Sequence, residues 1–427
     1  MTDQHLNARK EPPKFYRWLV LVVISIAMFG NYYVYDSIAP IADILKSDLG
    51  YSDENIGQLY SFYSIAAIVV LLIGGIIIDK YGTKKSTLMF GAICSVAGII
   101  TALSPDLTIM ISGRVLLGLG AEPLIVAITT ALAKWFKGKE LSFAFGINLT
   151  IARLGSVAAD NSPSWASGVY TNWQDPLYLS AMIGLSCVVA GFTYFILEGN
   201  AEKRYSLGEA AETEKFVWSD LFKFGKSYWY IVGLCIVFYS AIFPFRSFAI
   251  KFFIEAHGES REFAGFLNSI LPLSAMIATP IFGLIVDKVG KRSLFMMVGS
   301  IVLLPVYLMM VYTDISLYVP IVLMGIAFSL IPAVMWPSVA YIVKENRLGT
   351  AYSLMTLIQQ VGLAGFNWMI GAANDYGGAS VENPQGYEYG MWIFSVLGFF
   401  GLFFSFMLRR SEMGPGGHGL ENPSGSK

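Results

Sequence analysis

Long apolar segments are the feature that most restricts how this chain of 427 residues folds. A helix needs about 20 apolar residues to cross a bilayer, and barrel strands are much shorter and less continuous. Because only helices satisfy the backbone within such segments, we predict an all-α membrane protein with twelve transmembrane helices. The predicted spans lie near residues 17–39, 56–79, 86–104, 107–133, 141–166, 176–197, 227–254, 262–287, 293–312, 316–342, 348–374 and 390–408.

Composition agrees with this prediction and excludes several classes of function. The chain is 55% hydrophobic and only 14% charged, whereas soluble domains carry about 25% charged residues. Its net charge of −1 provides no basic excess for nucleic acid, so we expect no nucleic-acid partner beside the lipid bilayer. The cysteines and histidines lack metal-ligand spacing. We therefore expect no metal site. No cofactor is expected either, and the protein is expected to be monomeric.

Lysine and arginine predict the orientation in the membrane. With the N-terminus placed inside, 23 of the 29 basic residues fall on the inner side and three within spans. Only Lys46, Lys251 and Arg261 fall on the outer side. Inner loops carry such an excess of positive charge, so both termini are expected in the cytoplasm. The expected location is the bacterial cytoplasmic (inner) membrane.

The sequence also contains an internal repeat. "GGIIIDKYGTKK" after the second span matches "FGLIVDKVGKR" after the eighth, which places Asp79 and Asp287 208 residues apart. Leu141 and Leu348, in "KGKEL" and "KENRL", are 207 apart. One offset at two places predicts a duplicated unit of six helices. The predicted parts are two halves at 1–197 and 227–410, a cytoplasmic linker at 198–226 and a disordered Gly/Pro/Ser-rich tail at 411–427.

These loops, together with "RVLLGLG" in the fourth span, resemble the major facilitator superfamily over nearly the whole chain. The resemblance implies the major facilitator fold. Further segments resemble the branch that contains the lysosomal dipeptide uniporter and its bacterial relatives: "GLGAEPLIVA", "KWFKGKELSFAFGINLTIARLGS", "IFPF", "MWPSVAYIV" and "LGTAYSLMTLIQQVGLA". This resemblance implies dipeptide transport, with Glu122 and Arg153 holding the two termini of the peptide. Arg246 departs from the branch, and Ala121 replaces a glycine.

The depth of two charges supports the same pair of residues without the resemblance. Glu122 lies 11 residues from the inner end of the fourth span and Arg153 lies 12 residues into the fifth, or about 17 and 18 Å at 1.5 Å per residue. Ionisable residues at mid-membrane depth usually serve function. We therefore predict that Glu122 binds an ammonium and Arg153 a carboxylate. The alternative is a structural ion pair that joins the two helices.

Several other side chains are candidates for the substrate site. Tyr239 and Trp336 lie in segments that carry the resemblance, and Gln359 is a polar group within a span. Tyr35 is a possible hydrogen-bonding neighbour of the substrate. Arg246 follows Pro244 in the seventh span, so it either lines a cavity beside a broken helix or extends outward to water.

Two carboxylates are candidates for a proton site. Asp160 is seven residues after Arg153, hence on the same helix face and about 10 Å further out. It is a proton site, an outer gate or a surface residue at the end of the span. Asp36 lies near the outer end of the first span, where water is an alternative partner.

Three further charged residues are candidates for gating. Asp79 and Asp287, with their basic neighbours, are predicted to bias the two access states of the carrier. Arg114 is predicted to contribute to gating, with helix packing or extension toward water as its alternatives.

The predicted function is therefore dipeptide transport by alternating access, as a uniporter. The spans hold no histidine, and Glu122 has to stay ionised to bind an ammonium, which leaves it poorly suited to carry a proton as well. The alternatives are a proton-coupled symporter of dipeptides and a carrier of another small organic anion. An enzyme is not expected, because no nucleophile motif, intramembrane histidine or phosphate-binding loop is present.

Overall fold

The computed structural model describes residues 11–136, 140–207 and 223–423, and their regular structure is entirely helical. The first half contains α1 (Lys14–Asp36), α2 (Ala42–Leu49), α3 (Asp53–Leu71), α4 (Gly74–Leu103), α5 (Leu107–Phe136), α6 (Leu141–Asp160), α7 (Ser162–Trp165) and α8 (Gln174–Arg204). The second half contains α9 (Lys226–His257), α10 (Arg261–Val289), α11 (Arg292–Leu303), α12 (Val306–Tyr312), α13 (Tyr318–Ile342), α14 (Leu348–Gly377) and α15 (Glu388–Glu412).

The predicted all-α membrane architecture is confirmed. Among the described residues, ten helical segments are long and apolar enough to cross a membrane, and α11 with α12 counts as one of them. Helices α3 and α14 are not among the ten, because polar side chains interrupt their apolar surface. They pack against each other between the two halves, where polar groups find partners. With these two helices the arrangement is consistent with twelve spans in two halves of six.

The backbone repeats in the way that the sequence predicts. Helix α4 is interrupted at Gly82, whose φ is 76°. Gly290, 208 residues later, ends α10 with a φ of 70°. Positive φ angles favour glycine because it lacks a Cβ atom. Both turns follow the matching Asp-Lys motifs, so each half turns back at the same point of its repeat.

We call the membrane side that carries Gly82 and Gly290 the termini face, because chain connectivity also places both chain ends there. The opposite side is the distal face, and it carries residues 37–52 and 378–387. These two names make no assumption about which side is cytoplasmic.

The tail was expected to be disordered over 411–427, but its described part packs on the second half. Helix α15 itself extends to Glu412. The Lys291 and Arg292 backbone N–H groups donate to the carbonyl oxygens of Glu421 and Leu420, at 3.1 and 3.2 Å. Leu420 is fully buried, and an apolar anchor with backbone hydrogen bonds holds this segment in place. Residues 424–427 lie outside the described part of the chain.

The predicted linker is also partly helical. Helix α8 continues to Arg204, seven residues beyond the predicted end of the first half. Its last turns carry an acid that holds the turn at Gly82, since both carboxylate oxygens of Glu198 accept from the Thr83 hydroxyl. The middle of the linker, residues 208–222, is outside the described residues.

Candidate functional site

A cavity of about 340 Å³ lies between the two halves, and eight lining residues come from each of them. All seven side chains predicted to bind substrate line it: Tyr35, Glu122, Arg153, Tyr239, Arg246, Trp336 and Gln359. A larger cavity of about 590 Å³ opens at the distal face, beside His257, Asp314 and Glu388. None of the predicted site residues lines that second cavity, so we take the central cavity as the candidate site.

Glu122 reaches the cavity from a tightly packed part of α5. A Cβ atom at Gly118 would lie 2.3 Å from the Tyr63 carbonyl oxygen, so only glycine lets α3 approach so closely. The Tyr63 hydroxyl then donates to Glu122 Oε1 at 3.0 Å. From the opposite half, Gln360 Nε2 donates to the same oxygen at 3.0 Å. Both donors are neutral, so no cation among the described residues pairs with the negative charge of Glu122.

Arg153 projects from α6 into the same cavity. Its guanidinium lies over the rings of Tyr32 and Phe328, 5.5 and 5.8 Å from their centroids. Within the described part of the chain it forms no salt bridge with Glu122 or with any other carboxylate. The structural ion pair proposed as the alternative is therefore not formed in this structure. The cavity instead presents one acid and one base whose charges are free for a ligand.

An aromatic wall completes the cavity on the side of the second half. Trp336 Nε1 donates to the Tyr239 hydroxyl at 2.9 Å. The Trp336 ring also stacks on Tyr352, with centroids 6.1 Å apart. Across the cavity, Tyr35 meets Tyr63 edge to face at 4.7 Å. Aromatic rings of this kind bury apolar ligand surface and hold the polar groups in fixed positions.

Arg246 differs from Arg153 because two carboxylates surround it. Its Nη2 lies 2.8 Å from Asp160 and its Nη1 lies 3.4 Å from Asp36. Asn268 donates to the other Asp160 oxygen at 2.8 Å. The arginine and both acids are buried. Since Asp36 and Asp160 belong to the first half and Arg246 to the second, this triad joins the halves at the distal end of the cavity.

The predicted gating residues fall in two environments. Arg114 is fully buried and donates to the carbonyl oxygens of Val34 and Tyr35 at 3.0 and 2.9 Å. Val34 and Tyr35 lie at the end of α1, where carbonyls lack helical partners. Arg114 Nε also donates to the Leu59 carbonyl of α3 at 3.4 Å, so all its described hydrogen bonds lie within the first half. The structure thus agrees with the packing alternative for Arg114, and it gives the predicted gating role no support.

The two repeated aspartates lie at the termini face, as a gate there requires. Asp287 forms a salt bridge with Arg292 at 2.9 Å, and Arg292 also donates to the Tyr341 hydroxyl at 2.9 Å. Asp79 is exposed at the corresponding place of the first half. Their gating roles remain predictions.

A second buried cluster near the distal face was not predicted from the sequence. Lys251 is fully buried and lies 2.9 Å from both Asp53 and Glu255, with the Tyr387 hydroxyl at 2.7 Å. Asp53 belongs to the first half and the other three residues to the second. Lys251 and Glu255 are four residues apart on one helix, and this spacing could have predicted their ion pair from the sequence.

The model of the family described as Major Facilitator Superfamily matches residues 24–364 and 245–423. The chain belongs to the major facilitator superfamily. Among curated relatives of this superfamily member, the lysosomal dipeptide transporter MFSD1 of Danio rerio is 32% identical over 388 residues, 88% of this chain and 84% of that protein. The one of Homo sapiens is 30% identical over 362 residues, 82% of this chain and 78% of that protein.

Solved structures of the superfamily share the fold. An inward-facing, unoccupied bacterial homologue of the human lysosomal transporter Spinster aligns with a TM-score of 0.77 at 15% identity, over 94% of this chain and 98% of that one. Tetrameric PepTSo2 aligns with a TM-score of 0.69 at 14% identity, over 92% and 98%. At such low identity these likenesses concern the fold alone.

Major facilitator carriers expose their site to one side at a time, and the contacts between the halves indicate which side is closed here. The described hydrogen bonds and ion pairs that join the halves lie at the level of Glu122 and Gln360 or closer to the distal face. At the distal face, Arg261 holds Asp43 through both carboxylate oxygens at 2.5 and 2.6 Å. The described contacts therefore close the cavity at the distal face.

Proposed function

We propose that this protein carries dipeptides across a membrane by alternating access. The observation that carries the proposal is the pair of uncompensated charges, Glu122 and Arg153, in one cavity of about 340 Å³. Small-ligand sites usually measure about 300–1,000 Å³, and a dipeptide has one ammonium and one carboxylate. Relatives named as dipeptide transporters, 30–32% identical over most of the chain, support the same substrate class.

In this proposal each charge of the cavity holds one end of the peptide. The ammonium binds Glu122 through Oε2, since both protein donors occupy Oε1. Arg153 holds the carboxylate with two parallel N–H donors, a geometry that lysine does not offer. Tyr35, Tyr239, Trp336 and Gln359 contact the peptide between its termini. The protein does no covalent chemistry on the peptide, and one chain with two halves provides the complete pathway, so a monomer suffices.

Arg246 has a different role in this proposal. Two carboxylates already neutralise it, so it forms the distal wall of the cavity rather than a second site for the peptide carboxylate. The triad has to separate before the substrate leaves on the distal side. If the basic loops lie in the cytoplasm, as their charge predicts, the structure is the inward-facing state of a carrier in the bacterial cytoplasmic membrane.

We further propose that transport is uniport. Glu122 keeps its charge to bind the ammonium, and Asp36, the other acid that lines the cavity, is paired with Arg246. One observation favours the alternative, a proton-coupled symporter. Asp36 and Asp160 lie on either side of the single guanidinium of Arg246, and two carboxylates that share one site favour the protonated form of one of them.

Ligand binding and uptake together test the proposed function. A ligand that binds only the folded protein raises its melting temperature, so dipeptides are screened against single amino acids, sugar acids and N-acetylated dipeptides. We expect dipeptides with two free termini to stabilise the protein most and to enter vesicles that contain it. If sugar acids stabilise the protein and dipeptides do not, the carrier of another organic anion replaces this proposal.

A further inference from the structure

Glu122 is held by one donor from each half of the protein, and both donors use the same oxygen. The Tyr63 hydroxyl and Gln360 Nε2 each lie 3.0 Å from Oε1. Among the described residues no group donates to Oε2. Gln360 is only 4% exposed, so its amide is buried between the halves. The acid of the candidate site is thus tied directly to the second half.

The helix that carries Gln360 packs against α3 at very short range. A Cβ atom at Gly57 would lie 2.3 Å from the Asn367 carbonyl oxygen. The N-terminus of α3 meets the C-terminus of α14, where Asp375 accepts the backbone N–H groups of Asp53 and Glu54 at 2.8 and 2.7 Å. The two helices are therefore antiparallel, and close backbone contact fixes their register.

This register places Ser64 at the level of Gln360. Each lies seven residues, or two helical turns, from the contact of Gly57 with Asn367, and on the same face of its helix. Ser64 Oγ and Gln360 Oε1 are both buried, and neither has a hydrogen-bond partner in the described part of the chain. Native proteins leave few such groups unsatisfied. An unused donor and an unused acceptor thus lie at one level on facing helices.

We propose that Gln360 is a positioning residue that switches from Glu122 to Ser64 when the substrate ammonium binds. A hydrogen bond to an ionised carboxylate is roughly twice as strong as one between neutral groups. An ammonium on Oε2 neutralises Glu122 and weakens the bond from Gln360. The side chain of Gln360, released from Glu122, then accepts the Ser64 hydroxyl through Oε1, and the halves move between their access states with substrate bound.

The proposal rests on dipeptide transport as the function and adds how the amine is sensed. Binding and transport become separate properties of a ligand. An N-acetylated dipeptide still binds through Arg153 but leaves Glu122 ionised, so Gln360 stays in place. Such ligands occupy the site and compete with dipeptides without being carried.

A double-mutant cycle on Gln360 and Ser64 tests the switch. The proteins are wild type, Gln360→Leu, Ser64→Ala and the double variant, with Gln360→Met measured beside the leucine variant in case the branched side chain disturbs folding. Ser61→Ala is the matched control, because Ser61 is also a buried α3 serine without a described partner but lies one turn away. Dipeptide affinity, exchange rate in vesicles and melting temperature are measured for each.

We expect Gln360→Leu to keep the affinity within about threefold and to slow exchange on the order of tenfold. Ser64→Ala should slow wild-type exchange and add nothing in the Gln360→Leu background, since the two residues act as a unit. Three results would each overturn the switch alone. They are a normal exchange rate in Gln360→Leu, a more than tenfold loss of dipeptide affinity in that variant, and a double variant in which the effects of the two single substitutions multiply. A wild-type protein that neither binds nor carries dipeptides overturns the switch together with the proposed function.

Discussion

Glu122 and Arg246 are both charged side chains near the middle of the bundle, yet their surroundings differ. Glu122 accepts from a tyrosine and an amide, which leave its charge in place. Arg246 has carboxylates on two sides. Because a buried charge without a partner is costly, the first invites a charged ligand and the second does not.

Replacing Glu122 by Gln should affect only ligands with a free amine. The substitution removes the charge that the ammonium needs and keeps nearly the same shape. We expect dipeptides with a free N-terminus to bind on the order of tenfold more weakly, or about 1.4 kcal/mol, and N-acetylated dipeptides to keep their affinity. Titration calorimetry on both peptide series measures this. Equal losses for both series would contradict the assignment of Glu122 to the ammonium.

Replacing Arg153 by Ala should weaken both series. Losing one partner of a desolvated charge pair costs about 2–5 kcal/mol, so we expect at least a 30-fold loss of affinity for any peptide with a free carboxylate. Arg153→Lys keeps the charge without the paired donors and should give an intermediate loss. C-terminally amidated dipeptides are the control, and their affinity should change little. Unchanged affinity for free peptides in Arg153→Ala would remove the residue from the site.

For single residues, the sequence predicts the charged side chains of the site better than it predicts their hydrogen-bond and ion-pair partners. Glu122 and Arg153 stand out because a charge interrupts an apolar span at a known depth. Gln359 was predicted as a substrate residue, whereas its neighbour Gln360 contacts Glu122. Consecutive helix residues point about 100° apart, and the rotation of α14 is set by packing across the halves. Lys251 was missed because it was assigned to an outer end, whereas α9 continues to His257.

Two of the helices that join the halves, α3 and α14, are interrupted by polar residues. Among the segments that the structure describes, α3 and α14 do not qualify as membrane spans by composition. They were nonetheless predicted at 56–79 and 348–374, because both segments are long and contain enough apolar residues for a span of about 20. Their pairing could not be predicted, since it depends on how two separate halves dock.

The distal cluster around Lys251 should hold the distal face closed. Lys251→Met removes the fully buried cation between Asp53 and Glu255 and leaves them only the more distant, partly exposed Lys46, at 3.9 and 3.7 Å. Removing one partner of a buried pair typically costs about 3–5 kcal/mol. We expect the population to shift toward a state open at the distal face. Spin labels at Asp48 and Glu382, both exposed at that face, should move apart. Lys288→Met, at an exposed position of the termini face, is the control and should leave the distance unchanged.

The described part of the tail should protect the loop that carries Lys291 and Arg292. Leu420→Asp places a charge in a fully buried position and releases the segment that accepts from the Lys291 and Arg292 backbone. We expect those two amides to exchange with solvent on the order of tenfold faster, as local opening becomes easier. Met413→Ala, at an exposed position, should change nothing. Wild-type exchange rates in Leu420→Asp would show that the tail does not stabilise this loop.

For the whole molecule, the repeat and the charge distribution were the most informative parts of the sequence. The 208-residue offset that relates Asp79 to Asp287 also relates Gly82 to Gly290, two glycines with positive φ. The repeat therefore predicts the two-halved architecture and the place where each half turns. It does not predict which face is closed, because one pair of halves forms both access states.

If transport is not coupled to protons, the protein should not accumulate dipeptide inside vesicles. Vesicles that contain the protein are loaded with equal concentrations of a neutral dipeptide on both sides, and an inward proton gradient and a membrane potential are then imposed. A uniporter only equalises concentrations, so we expect the internal concentration to stay constant. Accumulation that a protonophore abolishes would favour the symporter, and Asp36→Asn and Asp160→Asn would then be compared.

The fully buried amine of Lys251 also gives this carrier a built-in chemical reporter. An amine enclosed by two acids and a tyrosine is out of reach of acylating reagents, whereas the same amine becomes a nucleophile in water once the distal face opens. A membrane-impermeant acylating reagent added on that side should therefore modify Lys251 in proportion to the time the carrier spends open there. Mass spectrometry of the modified peptide would then follow the working cycle in native membranes, with no engineered label.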